Sequence, residues 1–342
     1  MISDLTKSQF QKFRSMKRAW WSFWILLFFY VLSLFSEQIA NNRPLILGYE
    51  GKLYFPTLTF YDETTFGGAF KTEADYQALK SSEAFRANGG WMVYPLIPYD
   101  PLSSDWEAEG PPPHAPSSEH WLGTDSAARD VLARILYGFR TAMNFALALI
   151  VLSVVLGILI GSIQGYAGGK IDLLGQRIIE IWSALPFLYV VILMSSIYGQ
   201  SFMILLLVFG LFRWIGISYY IRAEFLRLKN QTYVQAARAQ GARHVGVVFK
   251  HILPNALNPI ITIVPFSLVT AITSLTALDF LGFGLAPPAP SWGELLRQGL
   301  ENLYAPWMSL SAVIALFLTL LLASFVGEGA RAAFDPRVQS KS

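Results

Sequence analysis

Residues 141–163 read TAMNFALALIVLSVVLGILIGSI, twenty-three residues without one charge. Crossing about 30 Å of hydrocarbon takes roughly 20 apolar residues. Lipid offers the backbone no hydrogen-bond partners, so a single run of this kind must be a helix. Comparable runs lie at about 19–36, 177–198, 202–221, 258–281 and 306–327. The expected fold is therefore an all-α membrane protein with six transmembrane helices. Composition agrees: 54% of the 342 residues are hydrophobic, 14% are charged and mean hydropathy is +0.42. Soluble domains carry about 25% charged residues. The turn Tyr198-Gly199-Gln200-Ser201 is all that separates the third and fourth runs, which predicts a helical hairpin.

Six spans put both termini on one side, and charge chooses the side. The leader, residues 1–18, holds Lys7, Lys12, Arg14, Lys17 and Arg18 against Asp4. The segment 222–256 holds Arg222, Arg227, Lys229, Arg238, Arg243 and Lys250 against Glu224, and the tail adds Arg331, Arg337 and Lys341. Residues 37–130 instead carry fourteen acids and six bases. The positive-inside rule places the leader, the 222–256 loop and the tail in the cytoplasm. No small-residue cleavage site follows the first apolar run, WWSFWILLFFYVLSLF, so it reads as an uncleaved anchor with an aromatic belt.

Between the first two spans lies an expected extracytoplasmic insertion, 37–128. Its aromatic residues Tyr49, Tyr54, Phe55, Phe60, Tyr61, Phe66, Trp91, Tyr94, Tyr99 and Trp106 argue against disorder. A small α/β or mostly irregular subdomain is expected, ending in a proline-rich linker at 110–117. A simple tether is the competing reading, and the aromatic residues alone do not separate a partner surface from a private core. A helical body with five spans is expected over 129–337.

The basic segment 233–256, YVQAARAQGARHVGVVFKHILPNA, has a readable local design. Residues 233–240 are helix formers, Gly241 suits a helix C-cap, and a second helix over 243–253 is expected to stop near Pro254. Val234, Ala237, Val245, Val248 and Ile252 supply narrow apolar stripes. A helix pair resting on the bilayer would use the same residues.

Arg213 falls mid-span in LLLVFGLFRWIGISYY, where a charge costs roughly 2.5–3.5 kcal/mol on insertion scales. Arg213, with Glu180 as its candidate partner, is a candidate to line a path; snorkelling or a structural ion pair are the alternatives. Asp279 is expected to be interfacial. The run 129–140 is expected to lie along the outer membrane surface, and 282–301 to form an ordered hairpin or re-entrant turn. Gly168-Gly169-Lys170 fails as a P-loop because Gln164 stands where glycine is required and Ile171 follows the lysine. No catalytic, cofactor-binding or metal-binding set emerges; the four histidines are scattered and cysteine is absent.

Spacing narrows these readings. Ala236-Ala237, Gly241 and Leu253-Pro254 resemble the EAA-x3-G-x9-I-x-L-P pattern of ABC-importer permeases, with Gln235 for the leading Glu and His251 for the Ile. The stretch 120–134, HWLGTDSAARDVLAR, resembles the HxLGTDxxGRDVLSR element of the peptide and nickel (DppC/OppC) subfamily, with Ala128 for its second glycine. GYAGGKIDLLGQR (165–177), LDFLGFGLAPPAPSWGELL (278–296) and APW (305–307) extend the likeness over about 118–337. The enlarged insertion looks like the YejE-type branch, associated with oligopeptides and microcin C-like antibiotics.

The resemblance implies a MetI-like core forming half of a peptide-translocation path. Tyr233, Gln235, Ala236, Ala237, Gly241, His251, Leu253 and Pro254 would carry the coupling to an ATPase. It implies a second homologous permease, two cytoplasmic ATPase subunits or one fused double ATPase, and an extracytoplasmic binding protein. ATP and magnesium would be used by the ATPase, with no cofactor on this chain and no nucleic-acid partner. Nickel, opine or glutathione are alternative cargoes within the family; a passive channel or a membrane-embedded enzyme are alternatives from other classes.

Overall fold

The computed structural model describes residues 4–106 and 110–334; the tail bases Arg337 and Lys341 lie outside the described residues. A short amphipathic helix α1 (Asp4–Ser15) leads into α2 (Lys17–Leu34) and the single turn α3 (Ser36–Ile39). The insertion follows, with strands β1 (Ile46–Tyr49), β2 (Lys52–Tyr54) and β3 (Trp91–Val93) and the helices α4 (Tyr76–Ser81) and α5 (Glu83–Ala87). Helix α6 (Val131–Ala167) is followed by α7 (Gly169–Ser183), α8 (Phe187–Tyr198) and α9 (Phe202–Leu228). The basic loop contains α10 (Thr232–Ala239), α11 (His244–Gly246), a π-helical segment Val247–Ile252 and α12 (Leu253–Ala256). Helices α13 (Asn258–Phe280), α14 (Trp292–Glu301) and α15 (Pro306–Phe334) complete the chain.

Among the described residues four helices, α6, α9, α13 and α15, are long and apolar enough to cross a membrane, or five spans if α7 and α8 count as one. The run expected as one span at 177–198 is not a single helix. It bends by 70° between α7 and α8, where Pro186 supplies no backbone N–H and holds Leu185 out of helical geometry. The expected hairpin turn does stand between α8 and α9, with Ser201 capping α9 through Ile204 N–H. The run 129–140 is not a separate surface helix: from Val131 it forms the first turns of the 37-residue α6, because neither glycine nor proline interrupts it there except Gly138.

The chain divides into two compact units. One comprises residues 1–27, 142–286 and 317–342. Within it α6 and α9 pack through glycines four apart. A Cβ on Gly157, Gly161 or Gly165 would lie 2.6, 2.5 or 2.6 Å from atoms of Ile217, Ser218 or Phe225. Small residues at this spacing let two membrane helices approach to backbone contact, the main route to affinity where lipid removes the hydrophobic drive.

The second unit comprises 28–141 and 287–316. The insertion has its own core of Leu47, Tyr49, Phe66, Tyr76 and Phe85, roofed by an antiparallel sheet in the order β2-β1-β3. Leu47 is opposite Tyr54 and Met92, so alternate residues of β1 face this core. Tyr49 and Phe85 stack with ring centroids 5.4 Å apart. Four aromatic residues of the segment, Tyr49, Phe66, Tyr76 and Phe85, thus serve its own packing.

Candidate functional site

The 232–256 loop is held by an apolar base. Val234, Val247 and Ile252 are fully buried against Ile221, Phe225 and Leu228 of α9, with Ala256 and Ile260 closing the cluster. Of the expected stripe, Val234 and Ile252 are buried, but Val245 is 69% exposed and Val247 takes its place. The cause is the π-helical turn at Val247–Ile252, which shifts the register that a 3.6-residue period assumes. The helix also does not stop near Pro254: it continues through α12 to Ala256. At the first turn of α12 the missing proline N–H costs little, and the wider π turn before it leaves room for the ring.

Polar contacts fix the loop's ends. Tyr166 at the foot of α6 meets His244 Nδ1 at 2.7 Å, and the Arg238 guanidinium stands 5.3 Å over the Tyr166 ring. Lys229 Nζ donates to Gly165 O at 2.8 Å. Arg222 grips Asp172 of α7 with both Nε and Nη2, the latter at 2.7 Å. Tyr233 donates to His251 O at 3.4 Å, Gln235 to Asn230 O at 3.2 Å and Asn255 to His251 O at 2.9 Å.

Gly241 ends α10 with φ +82°, and nothing stands within 4 Å of where a Cβ would be. Its requirement is conformational, the left-handed turn that only glycine adopts freely. Tyr233, Gln235, Ala236, Gly241 and Pro254 are exposed, while Ala237, His251 and Leu253 are half-buried. Phe249 is 63% exposed beside Lys250. The result is a rigid knob: apolar underneath, and small, aromatic and basic on top.

Arg213 and Glu180 are not brought together. Glu180 pairs with Arg177 at 2.6 Å one turn away on α7. Arg213 donates to Ser274 Oγ of α13 at 2.6 Å and faces a cavity of about 160 Å³ between α6, α9 and α13. Asp279 is not interfacial but buried, its Oδ1 accepting from Leu285 N–H at 2.7 Å to close the turn after α13.

In the other unit the 120–134 motif folds into a buried ion network. Asp125 accepts from the backbone N–H of Ala127 and Arg129 and from Arg129 Nε at 2.8 Å. Arg134, fully buried, donates to Glu294 at 2.5 Å and to the carbonyls of Pro101 and Pro288, and its Nε stands 3.2 Å from Asp125. Glu294 also receives Arg129 at 3.2 Å, so two acids face two bases. This network pins α14 to the start of α6, supported by Trp292 Nε1 donating to Ile135 O at 3.1 Å. Residues 282–301 are thus ordered by a helix, α14, rather than by a hairpin. Helical spacing gave no hint of Glu294; its only signal was an acid three residues after the Ser291 N-cap.

His120 is clamped in the same unit, Nδ1 on Asp130 at 2.8 Å and Nε2 on Asp105 at 3.1 Å, with the Tyr99 ring 4.2 Å away. Burial opposes its charging, but the two carboxylates outweigh burial and hold its pKa above the ordinary histidine value.

The profile of the family described as binding-protein-dependent transport system inner membrane component matches residues 153–340. The inner membrane ABC transporter permease YejE of Escherichia coli is 45% identical over 335 residues, 98% of each chain. The peptidoglycan transport system permease YejE of Agrobacterium fabrum is 42% identical over 98% of this chain and 94% of its own. The oligopeptide permease OppC of Haemophilus influenzae is 34% identical over 71% of this chain and 78% of its own. Among solved structures, an inward-facing methionine ABC transporter, MetNI, contains a chain of the same fold: TM-score 0.50 at 18% identity, over 59% of this chain and 97% of that one.

Proposed function

The chain belongs to the family of inner-membrane components of binding-protein-dependent transport systems, and from that premise we propose that it forms half of the path of an importer for oligopeptides or peptide-like compounds. It is a permease subunit and not an enzyme. A second homologous permease completes the path, and two ATPase subunits, or one fused double ATPase, bind ATP and magnesium and dock on the 222–256 loop. An extracytoplasmic binding protein delivers the cargo. The six apolar runs support six spans, and the charge pattern supports both termini in the cytoplasm and an extracytoplasmic insertion at 37–128. The names of the relatives, oligopeptide and peptidoglycan permeases, favour peptides over nickel, opine or glutathione.

The observation that carries this reading is the loop: its base is welded to α9 while Gln235, Ala236 and Gly241 stand clear. A force applied to that surface passes into the bundle without unfolding the loop. Replacing Ala236 with Trp would block the seat while leaving the buried base intact. In the reconstituted importer, binding-protein-stimulated ATP hydrolysis and uptake should fall at least about tenfold. Unchanged stimulation in a folded A236W importer would sink the docking role.

A further inference from the structure

We propose that the cavity beside Arg213 is a binding site for a carboxylate of the transported peptide, a reading that rests on the importer function above. Arg213 sits near the middle of α9. Other inward-turned arginines among the described residues have acids to hold them: Arg129 and Arg134 share Asp125 and Glu294, and Arg222 grips Asp172. Arg213 has Ser274 Oγ at 2.6 Å and the Phe209 ring at 6.0 Å, and among the described residues no acid pairs with it. A guanidinium at this depth, costing roughly 2.5–3.5 kcal/mol to insert, keeps its charge uncompensated by the chain itself.

The cavity it faces is about 160 Å³, roughly ten times what one water needs. Its polar lining is one-sided. Ser267 and Thr270 have already spent their hydroxyl protons on the helix carbonyls of Ile263 and Phe266. Ser153 is different: its Oγ is buried against the cavity and has no hydrogen-bond partner. Tyr220 brings a further hydroxyl.

Guanidinium offers five N–H donors, of which the serine takes one. The site therefore presents a fork of donors, an idle hydroxyl and a net positive charge, with no competing acid. That set fits a planar anion taken two oxygens at a time and repels a metal cation or an amine. Every linear peptide with a free terminus ends in such a group, and aspartate and glutamate side chains carry it too.

The test is uptake by the complete importer in proteoliposomes, with its binding protein inside the assay and ATP supplied to the ATPase. Two peptides of one sequence are compared, one with a free C-terminal carboxylate and one amidated. Arg213→Gln should cut uptake of the free acid about tenfold and of the amide less than twofold; Ser153→Ala should cut the free acid a few-fold. Arg213→Lys, which keeps charge but loses the fork, should lie between. Uptake of the amidated peptide within twofold of the unmodified importer certifies that each variant is assembled.

A parallel pair, glutamate against glutamine inside an amidated peptide, identifies the source. Loss that follows the internal glutamate also supports the site and assigns it to a side-chain carboxylate. Equal losses for charged and uncharged peptides, or free-acid uptake by R213Q at the unmodified rate, would overturn the proposal. Failure of the unmodified importer to move any peptide would instead refute the peptide-import reading beneath it.

Discussion

At residue scale, position 128 records a local conflict. Ala128 is fully buried with φ +58°, a left-handed conformation that costs a side chain roughly 1–2 kcal/mol. The motif it resembles has glycine there. Ala128→Gly should relieve that strain and return about half of it as extra unfolded-state entropy. A rise in the thermal midpoint equivalent to about 0.5–1 kcal/mol is expected; a fall would mean that the methyl group's packing outweighs the strain.

His120 gives a second prediction at this scale. Its pKa is raised in the folded protein, so the fold binds its proton more tightly than the unfolded chain does. The resulting stability is fully present below the ordinary histidine pKa of about 6.5 and is lost as pH rises through the folded value. Tryptophan-monitored melting should therefore show a higher midpoint at pH 6 than at pH 8, and His120→Asn should flatten that slope. An identical slope in the variant would remove the histidine as its source.

At the scale of elements, two attachments matter. Phe225 is fully buried where α9 meets the basic loop, and truncating it to alanine should cost about 3–5 kcal/mol of local packing. Because α9 itself is held on α6 by Gly157, Gly161 and Gly165, the loss should localise: amide exchange over 232–256 should quicken while α6 and α13 stay protected. The other attachment is ionic. Removing Arg134 alone leaves Asp125 and Glu294 buried with Arg129 as the sole base, an expected loss of about 3–5 kcal/mol. Arg134→Met with Glu294→Gln should recover much of it, since the second change removes the stranded charge. A double variant no better than the single one would show that the arginine's carbonyl contacts, not its charge, hold α14.

At the scale of the whole molecule, the absence of cysteine makes sidedness directly measurable. Single cysteines at Gln235 and at Glu83, both exposed, should react with a membrane-impermeant maleimide from opposite sides, Gln235 from the cytoplasm. Labelling from the same side would undo both the orientation and the ATPase-docking assignment.

Much of this protein was legible in order of residues alone. Uncharged runs dictated membrane helices because lipid satisfies no backbone group, and residues 233–256 read as short helices around Gly241 because such turns are local. The left-handed Gly241 and the hairpin at Gly199 are likewise decisions of neighbouring residues. What local sequence did not determine were partnerships across the chain. Glu180 faced Arg213 on paper but found Arg177 one turn away; Arg134 found Glu294, 160 residues distant. The break at Pro186 and the π turn that exchanges Val245 for Val247 also escaped simple periodicity, which assumes one unbroken 3.6-residue repeat. Composition and spacing fixed which segments must be helices and which loop is exposed. Only tertiary packing, which brings charges together regardless of their separation in the chain, decided which of them pair and set Arg213 against a cavity between α6, α9 and α13.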